Sequence, residues 1–134
     1  MPTLITYFWV ALGGAAGTIF RFWLNGVIST KFVSFPMGTL VINVTGSFLI
    51  AFFATLTDTD GRWRVQPTGR VFFMTGICGG YTTFSAFSLQ TLNLARDGEW
   101  LYASLNVLLS VVLCLFAAWL GFVAGMYLNS TKGH

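Results

Sequence analysis

The sequence GICGGYTTFSAFS, residues 76–88, decides the fold because it is too polar and too rich in glycine for a continuous helix in lipid. Nine of the seventeen residues from 75 to 91 are Gly, Ser or Thr. In hydrocarbon, a break in a helix is tolerated only where protein or a polar cavity satisfies the freed backbone groups. We therefore predict a helix that is broken near its middle and borders a polar cavity. The competing interpretation is a continuous helix whose hydroxyls bond to carbonyls one turn earlier and whose glycines serve only packing.

The composition around this stretch is that of a membrane protein. Of the 134 residues, 55% are hydrophobic and only 8% are charged, whereas a soluble domain carries about 25% charged residues. Apolar segments at about 4–24, 35–56, 71–94 and 101–128 are each long enough to span a bilayer. The sequence predicts a single all-α transmembrane domain over residues 1–134, with four helices per subunit and both termini on one side. A multi-pass protein of the cell (inner or plasma) membrane is the expected location.

Pairs of glycines spaced four residues apart predict where the helices pack closely. Such pairs let two backbones approach without side chains between them. They occur at Gly13/Gly17, Gly76/Gly80 and Gly121/Gly125.

The charged residues exclude several classes of function. The seven Lys and Arg residues are scattered, so no basic run is available to follow a phosphate backbone and we predict no nucleic-acid partner. The only histidine is His134, which leaves no buried imidazole for a catalytic base or metal site, and we predict that the protein is not an enzyme. The four acids lie in predicted loops, whereas a proton-coupled exporter of cationic drugs needs a carboxylate inside the membrane. Those acids are Asp58, Asp60, Asp97 and Glu99.

Two polar residues in the first two segments are candidates for an anion pathway. Arg21 lies near the end of the first segment, where it either extends to the lipid interface or places a positive charge in a vestibule that attracts anions. Asn43 lies in the middle of the second segment. Its amide either joins neighbouring helices or donates hydrogen bonds to a desolvated anion without binding it by charge.

Aromatic and polar stripes in the last two segments add further candidates. Phe84 and Phe87 are three residues apart on a predicted helix, and the positive edges of their rings favour an anion if they face a pore, although most such pairs only pack. Asn106, Ser110 and Cys114 recur at intervals of four residues. They form a weakly polar stripe that either joins helices or lines a pore.

The positive charges of the predicted loops are almost balanced between the two sides of the membrane. If both termini are cytoplasmic, that side carries Arg62, Arg64, Arg70 and Lys132, against Lys31, Arg96 and Arg21 opposite. Because the Lys and Arg difference in short loops sets orientation, a balance of four against three predicts insertion in both directions and an antiparallel dimer.

Three motifs make the chain resemble the Fluc/CrcB family of fluoride channels over nearly its whole length. The motifs are Gly13-Gly14-x-x-Gly17-x-x-x-Arg21, Gly38-Thr39-Leu40-x-x-Asn43-x-x-Gly46 and Gly76-x-Cys78-Gly79-Gly80-x-Thr82-Thr83-Phe84-Ser85-x-Phe87-Ser88. Two positions depart from the family pattern, since Gln90 stands where glutamate is common and Ala86 where threonine is common.

The resemblance implies a dual-topology antiparallel homodimer in the bilayer, with two pores and a structural Na⁺ at the dimer centre. It places backbone carbonyls of Gly79 and Thr82 on that sodium. It also implies that Phe84, Phe87 and Asn43 line the fluoride pore, with Thr83 and Ser110 as candidates for a polar track. Asn106 joins the pore-lining candidates through its stripe with Ser110, and Arg21 remains the candidate vestibule charge.

The resulting hypothesis is a passive fluoride channel that lets fluoride leave the cytoplasm and so relieves fluoride toxicity. Two alternatives stay open. A small proton-coupled cation or drug exporter is disfavoured because the spans hold no carboxylate. A non-transporting assembly subunit of a larger membrane complex is disfavoured less strongly, by the set of polar residues expected to line a pore.

Overall fold

A computed structural model of the chain describes residues 1–131. Lys132 and His134, which entered the charge balance and the histidine argument, lie outside the described residues, together with Gly133. Residues 1–131 are helical with short connections and contain no strand, which confirms the all-α prediction for this part of the chain. The elements are α1 Leu4–Ser29, α2 Met37–Leu56, α3 Pro67–Val71, a π-helical segment Phe72–Cys78, α4 Gly79–Tyr81, α5 Phe84–Arg96 and α6 Trp100–Ser130.

Three of these helices are long and apolar enough to cross a membrane. They are α1, α2 and α6, with 26, 20 and 31 residues. Their surfaces carry many exposed large hydrophobic side chains, as expected where lipid or another apolar surface replaces water. This supports the prediction of a multi-pass membrane protein.

The segment predicted as the third span is divided into shorter elements. The α3, π-helical and α4 segments follow one another without a gap and end at Tyr81. Thr82 and Thr83 are extended, with φ/ψ of −85°/158° and −152°/112°. Helix α5 then begins at Phe84, with the Thr83 side chain as its N-cap, because Thr83 Oγ1 accepts a hydrogen bond from the Ala86 N–H at 3.1 Å.

Glycines allow the main helix contacts, as the spacing predicts. Helix α1 packs against the π-helical segment and α4, and α2 packs against α6. A Cβ on Gly80 would lie 2.5 Å from the carbonyl oxygen of Gly14, and a Cβ on Gly17 would collide with the Ile77 carbonyl. Because the backbones themselves are in contact, no rotamer change could make room for a side chain at these positions.

Two arginines, one in the loop between α2 and α3 and one in α3, form hydrogen bonds with the ends of other helices. Arg62 Nη1 donates to the Leu128 carbonyl at 3.1 Å and to Thr131 Oγ1 at 2.9 Å, at the end of α6. Arg70 Nη1 donates to the carbonyl of Thr57, the C-cap of α2. Both arginines donate to a carbonyl in the last turn or at the C-cap of a helix, where a positive charge is favourable for the helix dipole.

The contact at Gly17 generates a stability prediction. Gly17→Ala is expected to lower the free energy of unfolding by about 1–3 kcal/mol, because the added methyl forces α1 away from the Ile77 backbone. The control is Gly26→Ala in the same helix, where an added Cβ meets nothing within 4 Å. Thermal unfolding in detergent measures both variants, and equal shifts for the two would contradict the close packing.

Candidate functional site

A cavity of about 420 Å³ lies beside the interruption between α4 and α5. Its wall is formed by α2, the end of the π-helical segment, the start of α4, the extended residues, α5 and α6. It collects eight of the candidate residues named in the sequence analysis, namely Asn43, Gly79, Thr82, Thr83, Phe84, Phe87, Ser110 and Cys114. Its lining contains no Asp, Glu, Lys, Arg or His, so its electrostatics come from backbone groups, hydroxyls, an amide and aromatic rings.

The side chain of Asn43 forms hydrogen bonds with the backbone at the interruption. Its Nδ2 donates to the Thr83 carbonyl at 3.0 Å, and its Oδ1 accepts from the Thr83 N–H at 2.8 Å. The amide thus pairs with both the carbonyl and the N–H of a residue that lies outside a helix. The amide therefore joins α2 to the extended residue before α5, and Asn43 also lines the cavity.

The interruption leaves two carbonyls without the N–H donors that they would have in a continuous helix. In a continuous helix the Gly79 carbonyl would accept from the Thr83 N–H, which is bonded to Asn43 instead. The Thr82 carbonyl would accept from the Ala86 N–H, which is bonded to the Thr83 hydroxyl. Both residues line the cavity, so two carbonyls without their helical donors belong to residues of the cavity wall.

Arg21 stabilises the carbonyl between these two. Its Nε donates to the Gly80 carbonyl at 3.0 Å, and Thr18 Oγ1 donates to the same oxygen at 3.3 Å. Arg21 therefore satisfies a carbonyl at the C-terminal end of α4, where a positive charge is favourable. It lines a separate pocket of about 70 Å³ and is not part of the lining of the main cavity.

The two phenylalanines differ strongly in exposure. Their ring centroids are 5.2 Å apart with the planes tilted by 50°. Phe87 is buried, with 9% of its surface exposed, whereas Phe84 is 77% exposed. The pair forms a continuous aromatic wall that runs from the interior of the chain to its surface, and both rings border the cavity.

The polar stripe on α6 divides between two environments. Ser110 and Cys114 line the cavity. Asn106 is only 1% exposed, and its Nδ2 donates to Thr91 Oγ1 of α5 at 2.9 Å. Asn106 thus joins α5 to α6 in this structure and lies outside the lining of the main cavity.

Sequence reasoning missed several residues of this wall. Ser47 and Ile50 follow Asn43 at intervals of four and three residues along α2, and the helical spacing alone could have identified them. Cys78 was not among the candidate lining residues, yet it borders the cavity as a free thiol. Within residues 1–131 no group of three or more His, Cys, Asp or Glu side chains is arranged to hold a metal ion.

Sequence comparison identifies the family of this chain. The family model described as "CrcB-like protein, Camphor Resistance (CrcB)" matches residues 8–122. Proteins named "Fluoride-specific ion channel FluC" are similar over nearly their whole length. The relative from Opitutus terrae is 59% identical, covering 95% of this chain and 97% of the relative. The relative from Rhodospirillum rubrum is 56% identical (93% and 98%), and that from Paramagnetospirillum magneticum is 58% identical (94% and 99%). The cavity at the interrupted helix thus lies within a chain that belongs to the CrcB family.

Proposed function

We propose that this chain forms a passive, fluoride-selective channel that releases fluoride from the cytoplasm and relieves its toxicity, and that it catalyses no reaction. The observation that carries the proposal is the neutral cavity at the helix interruption, with Asn43, Thr83, Ser110 and two phenylalanine rings on its wall. The names of the FluC relatives support fluoride as the ion.

The chemistry of the wall suits an ion that must enter and leave quickly. Hydroxyls and an amide replace part of the hydration shell of an anion, while the absence of a cationic side chain from the lining avoids a deep energy well. The edges of the Phe84 and Phe87 rings carry partial positive charge, which favours an anion without a formal charge. Arg21 contributes a positive charge outside this cavity, in the separate pocket beside α4.

We include in the proposal a fourth crossing made by the discontinuous segment from α3 to α5. None of its elements is long enough to span a bilayer alone, but together they extend from Pro67 to Arg96. The extended residues are acceptable at membrane depth because Asn43 pairs with both backbone groups of Thr83, and because the carbonyls that lose their helical donors belong to residues lining the polar cavity. With α1, α2 and α6, this segment returns the C-terminus to the side of the N-terminus.

The assembly we propose is an antiparallel homodimer with a structural Na⁺ at its centre. The carbonyls of Gly79 and Thr82 fit such an ion, since both have lost their helical donors and border the cavity. Two carbonyls cannot replace the hydration shell of a cation, but the same pair from a second copy doubles the number. The exposed Phe84 beside them supplies apolar surface for a second copy to cover.

The two alternative functions fit this arrangement less well. A proton-coupled exporter requires an acid inside the membrane, and α1, α2, α5 and α6 contain no Asp or Glu. An assembly subunit requires no cavity lined by hydroxyls and an amide. Flux from liposomes separates the three functions, because an exporter depends on a proton gradient and an assembly subunit passes no ion.

The aromatic wall generates the first flux prediction. Reconstituted protein is expected to release fluoride from liposomes without a proton gradient, and Phe84→Ile or Phe87→Ile is expected to slow release by about tenfold or more, since loss of about 1.4 kcal/mol of ring-edge attraction corresponds to that factor. A fluoride electrode measures release. Phe116→Ile on the exposed surface of α6 is the control. Wild-type flux in both cavity variants would show that the pair only packs.

The second prediction concerns the support that Asn43 provides. Asn43→Ala is expected to lower the free energy of unfolding by about 2–4 kcal/mol and to abolish flux, because both backbone groups of Thr83 lose their partners. Thr55→Val is the matched control, since the Thr55 hydroxyl bonds to the Ala51 carbonyl one turn earlier in α2 and Thr55 lies outside the cavity lining. Chemical unfolding in detergent and liposome flux measure the two effects. Wild-type stability and flux in Asn43→Ala would show that Asn43 does not stabilise the backbone of Thr83.

The third prediction concerns sodium. Complete replacement of Na⁺ by N-methyl-D-glucamine is expected to lower the thermal midpoint of the protein and to stop fluoride flux, since a ligand that binds only the folded state stabilises it in proportion to the logarithm of its concentration. Titration of NaCl at constant ionic strength measures the shift. Stability and flux that do not respond to the replacement would count against the ion site.

A further inference from the structure

The hydroxyl of Tyr81 joins the end of α4 to α2. Tyr81 is the last residue of α4, and only 7% of its surface is exposed. A buried tyrosine hydroxyl normally finds a hydrogen-bond partner. Here the partner is Thr45 Oγ1 of α2, which lies 2.8 Å from the Tyr81 hydroxyl oxygen. Neither residue belongs to the lining of the main cavity, so the contact has a role outside the wall itself.

The direction of this bond follows from the other partners of Thr45. Thr45 Oγ1 also lies 2.8 Å from the Val41 carbonyl oxygen and 3.1 Å from that of Ile42, and to either carbonyl it can only donate. Because a threonine hydroxyl has one hydrogen, the hydrogen between the two side chains comes from Tyr81. Tyr81 therefore donates to a hydroxyl whose own hydrogen is directed at the backbone of α2.

Tyr81 lies between the two residues whose carbonyls lack helical donors. Gly79 and Thr82 are separated in the chain only by Gly80 and Tyr81. Gly80 is bonded to α1, because its carbonyl accepts from Arg21 Nε at 3.0 Å. Tyr81 is bonded to α2 through its hydroxyl. Two different helices thus hold the two intervening residues, and together they restrict where the Gly79 and Thr82 carbonyls lie relative to each other.

The ring of Tyr81 is packed between α1 and α2. Its centroid is 5.7 Å from that of Phe20 in α1, with the ring planes tilted by 34°. On the side of α2, a Cβ added to Gly46 would lie 3.2 Å from the ring carbon Cδ2. Tyr81→Phe therefore keeps the packed ring and removes only the bond to Thr45.

We propose that the hydrogen bond from Tyr81 to Thr45 is a positioning contact, which fixes the backbone between the Gly79 and Thr82 carbonyls and thereby raises the affinity for Na⁺. This inference rests on the ion site proposed above. Tyr81 touches no ion in this role and acts through the backbone on either side of it. Groups that orient metal ligands without touching the metal typically change its affinity by about 10- to 100-fold.

A sodium titration of the thermal midpoint tests the contact. NaCl replaces N-methyl-D-glucamine chloride at constant ionic strength in detergent, and the dependence of the midpoint on Na⁺ concentration gives an apparent Kd. Tyr81→Phe and Thr45→Val are each expected to raise this Kd by about tenfold. The double variant is expected to raise it no further, because both changes remove the same bond. Thr45→Ser keeps the hydroxyl and is expected to keep the wild-type Kd.

Tyr102→Phe is the matched control. It removes a tyrosine hydroxyl from α6, where the ring packs against Phe35 and lies outside the cavity lining, and it is expected to keep the wild-type Kd. A midpoint that falls equally at every Na⁺ concentration in Tyr81→Phe, with an unchanged Kd, would overturn the positioning role and leave a packing contact. A wild-type midpoint that does not respond to Na⁺ would instead remove the ion site itself, and the role of Tyr81 with it.

Discussion

The pair of hydrogen bonds between the Asn43 amide and the backbone of Thr83 is the interaction on which the rest of the site depends. A helix that stops inside a membrane leaves donors and acceptors that lipid cannot satisfy, and each would cost several kcal/mol. One amide side chain supplies an acceptor and a donor at the correct spacing for both. The consequence is a stable interruption at which the backbone lines a cavity instead of pairing with itself.

The same physical problem recurs at other helix ends, and the chain solves it with arginine and asparagine. Arg21 pairs with the end of α4, Arg62 with the end of α6 and Arg70 with the end of α2. Asn129 repeats the double use of an amide, accepting from the Arg62 N–H and donating to the Thr55 carbonyl. Several of the few charged residues in the chain thus satisfy carbonyls, which explains how a protein with so little charge keeps its helix ends paired.

The site combines closely packed helices with a cavity wall that is partly polar and partly aromatic. Close glycine contacts hold α1 against α4 and the π-helical segment, and the described residues that line the main cavity all come from outside α1. The cavity wall itself is lined by small polar side chains and two aromatic rings. Phe84 extends this wall to an exposed surface, and this arrangement underlies the proposed second copy and the proposed fluoride pathway.

Some of this organisation followed from the sequence alone. Apolar segments of sufficient length and the scarcity of charge predict membrane helices, because these properties depend on composition along the chain and not on which segments meet. The richness of residues 75–91 in Gly, Ser and Thr predicted a helix broken near its middle; the structure has two extended residues, Thr82 and Thr83, in this segment, and the broken membrane helix stays a prediction. The glycine spacing identified the close contacts for the same reason, since it is a local property of each helix.

Tertiary structure decided which polar side chains form hydrogen bonds with other segments and which line the cavity. Asn43 and Thr83 are 40 residues apart in the chain, and Arg21 and Gly80 are 59 apart, so no local pattern could choose between a pore-facing side chain and one that satisfies the backbone. Asn106 and Ser110 belong to one stripe, yet only Ser110 reaches the cavity because Thr91 pairs with Asn106. A side chain's spacing fixes its helix face, but its partner depends on the neighbouring helix that covers that face.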